Sequence, residues 1–149
     1  EPLWKDMEDA RTQMAYGLSV CDILKISDNE IQWFSGKEDY TEGIHMLQQT
    51  YQIPLILLSM GRDGSRAYYK DMLVEVPAFL QKNTIETTGA GDTFGACCLH
   101  HILKYGLDNL TKQQLKEMLT FANAAASIIT TRKGALRVMP SLEEIQRLL

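Results

Sequence analysis

The sequence predicts a single α/β domain over residues 1–149, and three observations carry that prediction. Short apolar runs at residues 23–26 and 55–59 are bounded by turn residues, as buried parallel strands are. Around them lie longer stretches whose apolar residues recur at helical spacing. Three of the helical stretches open on a capping box, Ser27 with Glu30, Thr111 with Gln114, and Ser141 with Glu144. Strands alternating with helices point to a parallel sheet flanked by helices, with an antiparallel β-hairpin at one side.

In chain order, the first helix is expected over residues 6–16, behind the stretch Pro2-Leu3-Trp4-Lys5-Asp6. Trp4 there suits a hydrophobic staple or a core plug better than a ligand pocket. A strand at 23–26 leads through Ser27 into a helix at 29–34, and a further helix is expected at 39–51. The strand at 55–59 ends in Ser59-Met60-Gly61-Arg62-Asp63-Gly64, where two glycines three apart by themselves mark a tight turn. A hairpin of residues 66–69 and 73–76 folds around Lys70-Asp71-Met72. Helices follow at 91–104, 111–130 and 142–149. The middle one places Leu115, Met118, Leu119, Ala122, Ala126 and Ile129 on one stripe with Asn123 at its flank. No repeat, low-complexity tract or proline-rich linker interrupts the chain.

Composition removes several functional classes. With 149 residues, 45% of them hydrophobic, the chain can bury a real core. A net charge of -4 without a basic cluster argues against nucleic acid as a partner. No apolar stretch approaches the roughly 20 residues needed to span a bilayer, and nothing at the start looks like a signal peptide. Three cysteines, with Cys97 and Cys98 adjacent, suit neither a disulfide framework nor zinc. They read as core thiols in a reducing cytoplasm. His45, His100 and His101 have no metal-site spacing.

The most informative run is Thr87-Thr88-Gly89-Ala90-Gly91-Asp92-Thr93-Phe94, at the presumed start of a helix. Free backbone N–H groups and the helix dipole favour an anion there, and the glycines let a ligand approach the backbone. Asp92 has two readings. It caps the helix, or it acts as a general base on a hydroxyl while backbone amides hold the charge of a transferring phosphoryl group.

This octapeptide, with Thr131-Arg132-Lys133-Gly134-Ala135 later in the chain, closely resembles the second signature of the ribokinase-like (PfkB) sugar kinases. The resemblance implies a ribokinase-like fold and an anion hole built on Gly89, Ala90 and Gly91, with Asp92 deprotonating the sugar hydroxyl that attacks ATP. Three further segments match in order. Ser27-Asp28-Asn29-Glu30 resembles an Asn-x-x-Glu element, implying magnesium near Glu30 and a nucleotide contact at Ser27, where many relatives carry Asn. Ser59, Gly61 and Gly64 resemble the Thr-x-Gly-x-x-Gly nucleotide loop, with Ser in place of Thr. Asn123 falls where the family has an Asn beside the adenine. The resemblance also implies a potassium ion ringed by backbone oxygens of Glu86, Thr88, Ile129, Arg132, Gly134 and Val138, Glu86 standing where Asp is usual.

The likeness covers nearly the whole chain but only the second half of the family pattern. An amino-terminal part with most sugar contacts, a lid sheet and a homodimer clasp is expected outside these residues. Pro2 to Asp6 and the end of the chain are similar to fructokinases, so fructose is the expected substrate, with ribokinase and 2-keto-3-deoxygluconate kinase activities as runners-up. A noncatalytic nucleotide-binding or assembly module is the alternative of another class.

Overall fold

The computed structural model describes residues 4–149, so Pro2 and Leu3 of the amino-terminal stretch lie outside the described residues. Helix α1 (Met7–Val20) opens on Asp6, whose carboxylate accepts the N–H groups of Glu8 and Asp9. It runs four residues past the expected end at Tyr16, through Gly17. The reason is tertiary: Leu18 is buried in the core, and Gly17 serves as no cap. Trp4 is 41% exposed, so it plugs no core.

Strand β1 (Ile23–Ser27) passes directly into α2 (Asp28–Ser35), where the expected capping box of Ser27 and Glu30 is formed. Helix α3 (Tyr40–Tyr51) returns the chain to β2 (Leu55–Ser59), which pairs parallel with β1 in the register Ile23↔Leu55. Beyond β2 a single turn of 3-10 helix (Gly61–Asp63) leads to β3 (Ser65–Tyr69) and β4 (Met72–Val76), both antiparallel. The hairpin turn is tighter than expected, because Met72 pairs with Tyr69 and leaves Lys70-Asp71 as the loop. Lys70 takes a φ of 52 there and its ammonium donates to the Asp108 carbonyl at 2.6 Å. The sheet order is β1-β2-β3-β4, so the expected parallel sheet comes down, among the described residues, to one parallel pair extended by the hairpin.

An irregular segment, residues 77–89, leads to α4 (Ala90–Tyr105), and α5 (Lys112–Ile129) packs against it. A 3-10 turn (Leu136–Val138) and α6 (Leu142–Leu148) complete the described chain. The sheet is covered on both faces, as parallel pairing demands. Leu55, Leu57, Ala67 and Val76 face α4 and α5 through Phe94, Cys98, Leu115 and Leu119. Ile26, Ile56, Leu58 and Tyr68 face the other helices through Leu18, Ile31, Ile44 and Leu47. Cys98 is a core thiol, as expected. Burial pushes the Cys97 thiol up to about 11 and raises that of Cys98 further. No described helix is long and apolar enough to cross a membrane.

Candidate active site

The glycine run makes the entrance to α4. Gly89 is the N-cap with φ 79, a conformation that glycine adopts without steric cost, and no side-chain hydrogen bond closes the cap. The capping reading of Asp92 therefore fails: it stands in the first turn, exposed, and Gly89 holds the cap position. Thr93 donates its N–H to Gly89 O at 2.9 Å, whereas the Ala90 amide closes a turn onto Thr87 O at 3.1 Å. Of the three amides expected to face an anion, that of Ala90 is therefore engaged in the turn. Gly91 and Asp92 supply first-turn N–H groups with no intrahelical acceptor, and the positive end of the dipole lies with them.

Lys25 completes this end of the site, and the sequence reading missed it. A Cβ built on Gly91 would lie 3.2 Å from Lys25 Nζ, which is also 4.0 Å from Glu30 Oε2. The ammonium therefore stands between the glycine turn at the start of α4 and the α2 cap. A lone lysine inside the apolar run Ile23-Leu24-Lys25-Ile26 was the available signal. On Glu30, Oε2 accepts both the Ser27 N–H at 2.7 Å and the Ser27 hydroxyl at 2.8 Å. Partial burial works to raise this carboxyl, but the bonds from Ser27 and the charge of Lys25 outweigh it and hold it below the usual range.

Beside the turn is a cavity of about 410 Å³. Ser59, Gly61, Arg62 and Gly64 line it at the end of β2, Ala78 to Gln81 and Thr84 along the irregular segment, and Thr87, Ala90, Gly91 and Phe94 around the start of α4. Asn123, Ala126, Ser127 and Thr130 of α5 close it. Of the six residues expected to contact nucleotide, Ser59, Gly61, Gly64, Gly91 and Asn123 are brought together here. Ser27 lies outside the lining, in the capping box. Asn123 is 7% exposed and its Nδ2 donates to Val76 O at 3.2 Å and Pro77 O at 3.1 Å, so its amide holds the exit of β4 at the cavity rim. Gln81 Nε2 donates to Ser127 Oγ at 3.1 Å and fastens the opposite wall. The size and mixed lining suit a small organic ligand, and the dipole and Lys25 give its anionic end a place.

The segments expected to ring a potassium ion do meet. Ile129 O accepts the Arg132 N–H and Val138 O accepts Arg132 Nη1, both at 3.0 Å. Glu86 Oε1 accepts the Gly134 N–H at 2.7 Å. Among the described residues no three His, Cys, Asp or Glu side chains cluster as a metal site. His45 and His100 are exposed, and His101 packs at a tilt against Phe121 with ring centroids 5.0 Å apart.

The family profile described as pfkB family carbohydrate kinase matches residues 1–142. The chain belongs to that family. It is 33% identical over 149 residues to Fructokinase-1 of Zea mays, covering 100% of this chain and 46% of that protein. It is 33% identical over 146 residues to a fructokinase of Klebsiella pneumoniae, covering 97% and 47%. In fold it resembles the crystal structure of a fructokinase from Vibrio cholerae O395 in a fructose, ADP and calcium ion bound form, with a TM-score of 0.86 at 23% identity over 99% of this chain and 47% of that one. Aminoimidazole riboside kinase from Salmonella enterica, complexed with its riboside and an ATP analog, superposes with a TM-score of 0.83 at 23% identity over 97% and 48%. The chain thus spans about half the length of the curated relatives it matches.

Proposed function

We propose that this chain is the nucleotide-binding and anion-hole half of an ATP-dependent carbohydrate kinase, and that the complete protein phosphorylates a primary hydroxyl of fructose. The observation that carries the reading is Asp92. It is an exposed carboxylate in the first turn of α4, beside N–H donors with no intrahelical acceptor, and it directly follows Ala90 and Gly91, which line the cavity. A base placed within reach of a hydroxyl, beside donors aimed at developing charge, is what phosphoryl transfer requires of a protein. Fructose as acceptor rests on the fructokinase relatives in maize and Klebsiella.

In this reading the nucleotide lies along the wall from Gly64 to Asn123 with its phosphates directed at Gly91. Asp92 takes the proton of the attacking hydroxyl. The N–H groups of Gly91 and Asp92, the α4 dipole and the Lys25 ammonium hold the charge of the transferring group. Magnesium fits beside Glu30, since both capping bonds and the Lys25 contact fall on Oε2 and leave Oε1 outside the box. One carboxylate oxygen together with substrate phosphates is a donor set that Mg²⁺ accepts, and the ion would neutralise phosphate charge. The backbone oxygens of Glu86, Thr88, Ile129, Arg132, Gly134 and Val138 are the candidate lining for a monovalent cation. Those of Ile129 and Val138 each keep a second lone pair beside the hydrogen bond they accept.

The test is Asp92→Asn in the full-length protein, assayed for ADP release with fructose and titrated with an ATP analogue. Turnover should fall by at least roughly a hundredfold, the usual scale for loss of a general base, while nucleotide affinity stays within about twofold. A variant that keeps substantial turnover would remove Asp92 as the base.

A further inference from the structure

The loop behind α5 is fastened to the segment that leads into α4, and the fastening ends on a carboxylate. Ile85 and Glu86 donate their backbone N–H groups to Thr130 O at 2.8 and 3.3 Å. One turn on, Glu86 Oε1 accepts the N–H of Gly134 at 2.7 Å. Gly134 sits at φ +114, so the amide is presented by a backbone conformation that other residues rarely adopt. The next residue, Ala135, is the floor of the anion-binding turn. A Cβ added at Gly89 would come 3.1 Å from Ala135 Cβ and 3.2 Å from Ile129 Cδ1. The far side of the loop is held by Arg132, whose guanidinium donates to Val138 O and to the Glu144 carboxylate at the α6 cap.

We propose that Glu86 is a positioning residue for the anion-binding turn. Its carboxylate latches the 131–135 loop so that Ala135 holds the backbone of Gly89, and through it the first N–H groups of α4, in place. This rests on the kinase reading for its effect on turnover, but the latch itself is a statement about backbone order. A carboxylate is a strong acceptor for a backbone N–H and nothing else among the described contacts reaches Gly134 N. Arg132 and Glu144 would keep the loop attached after the latch is cut, so the loss is one of alignment at Gly89 and leaves the fold intact.

The experiment compares Glu86→Ala and Glu86→Gln in the full-length protein by amide hydrogen exchange and by steady-state kinetics with ATP and fructose. In Glu86→Ala, the amides of Gly134, Ala90 and Thr93, each hydrogen-bonded in the wild type, should exchange at least about tenfold faster, while those of β2 keep their protection. The kcat should fall by roughly tenfold to a hundredfold with KM for ATP within about twofold, since misalignment of a transition-state donor acts on kcat. Glu86→Gln keeps an acceptor oxygen and should recover most of both. Unchanged exchange at Gly134, or faster exchange there without any change at Ala90 and Thr93, would overturn the proposal. So would a loss in Glu86→Gln as deep as in Glu86→Ala. If the wild-type protein shows no kinase turnover, the kinase reading fails, and the exchange data still decide the latch.

Discussion

At Gly64 the backbone leaves no room for any side chain: φ is +99 and a Cβ would lie 2.2 Å from Val76 O. That contact explains why a glycine is required where β2 turns toward the cavity, which its spacing from Gly61 alone did not. Glu30 carries a second residue-level consequence. Its folded carboxyl is held below the ordinary value of about 4.3, so its contribution to stability is complete above that value and is lost as pH falls through the lowered one. The difference in unfolding free energy between wild type and Glu30→Gln should therefore be full at neutral pH and shrink below about pH 4. Urea denaturation across pH measures it, and a difference that does not change with pH would mean that the charge contributes nothing to the cap. The signal for Ser27 and Glu30 was legible because a capping box is local in sequence. The signal for Lys25 was present but unread, because its partner Gly91 is far away along the chain and only the fold brings them together.

Among the elements, helix existence and order were legible almost throughout, since capping residues and apolar spacing are written in adjacent positions. The errors came where tertiary packing decides. Leu18 draws α1 past Gly17 into the core, and the Met72↔Tyr69 pair shortens the hairpin turn. The segment 77–89, which forms one wall of the cavity, carries no periodicity that a sequence could show. Asn123 links these levels. It was expected at the flank of the α5 stripe and is buried there, its Nδ2 committed to Val76 O and Pro77 O, a partnership no local pattern encodes. Cutting it removes the one amide that bridges these two carbonyls. Asn123→Ala should cost about 1–3 kcal/mol in chemical denaturation and weaken ATP-analogue binding. Asn123→Asp, which sets an oxygen against those carbonyls, should cost more. Equal stability of all three proteins would show that the amide does not hold the cavity rim.

At the scale of the whole molecule, the candidate site runs from Lys25 of β1 to the cavity beyond the ends of β2 and β4. Lys25 of β1 meets Gly91 of α4, and the cavity opens between the ends of β2, α4 and α5. Here the family could be read from the order of its motifs, Ser27 to Glu30, Ser59 to Gly64, Thr87 to Phe94 and Thr131 to Ala135, and the pfkB match over residues 1–142 agrees. Sugar contacts were not legible, because the motifs in this chain are those expected at the nucleotide and the chain corresponds to 46% of its maize relative. The proposed function requires these residues to hold the nucleotide. The measurement that tests this most directly is calorimetric titration of the folded 149-residue chain with a non-hydrolysable ATP analogue and magnesium. We expect one nucleotide bound per chain, with binding weakened by Lys25→Ala. A chain that is folded by circular dichroism and takes up no nucleotide would contradict the account.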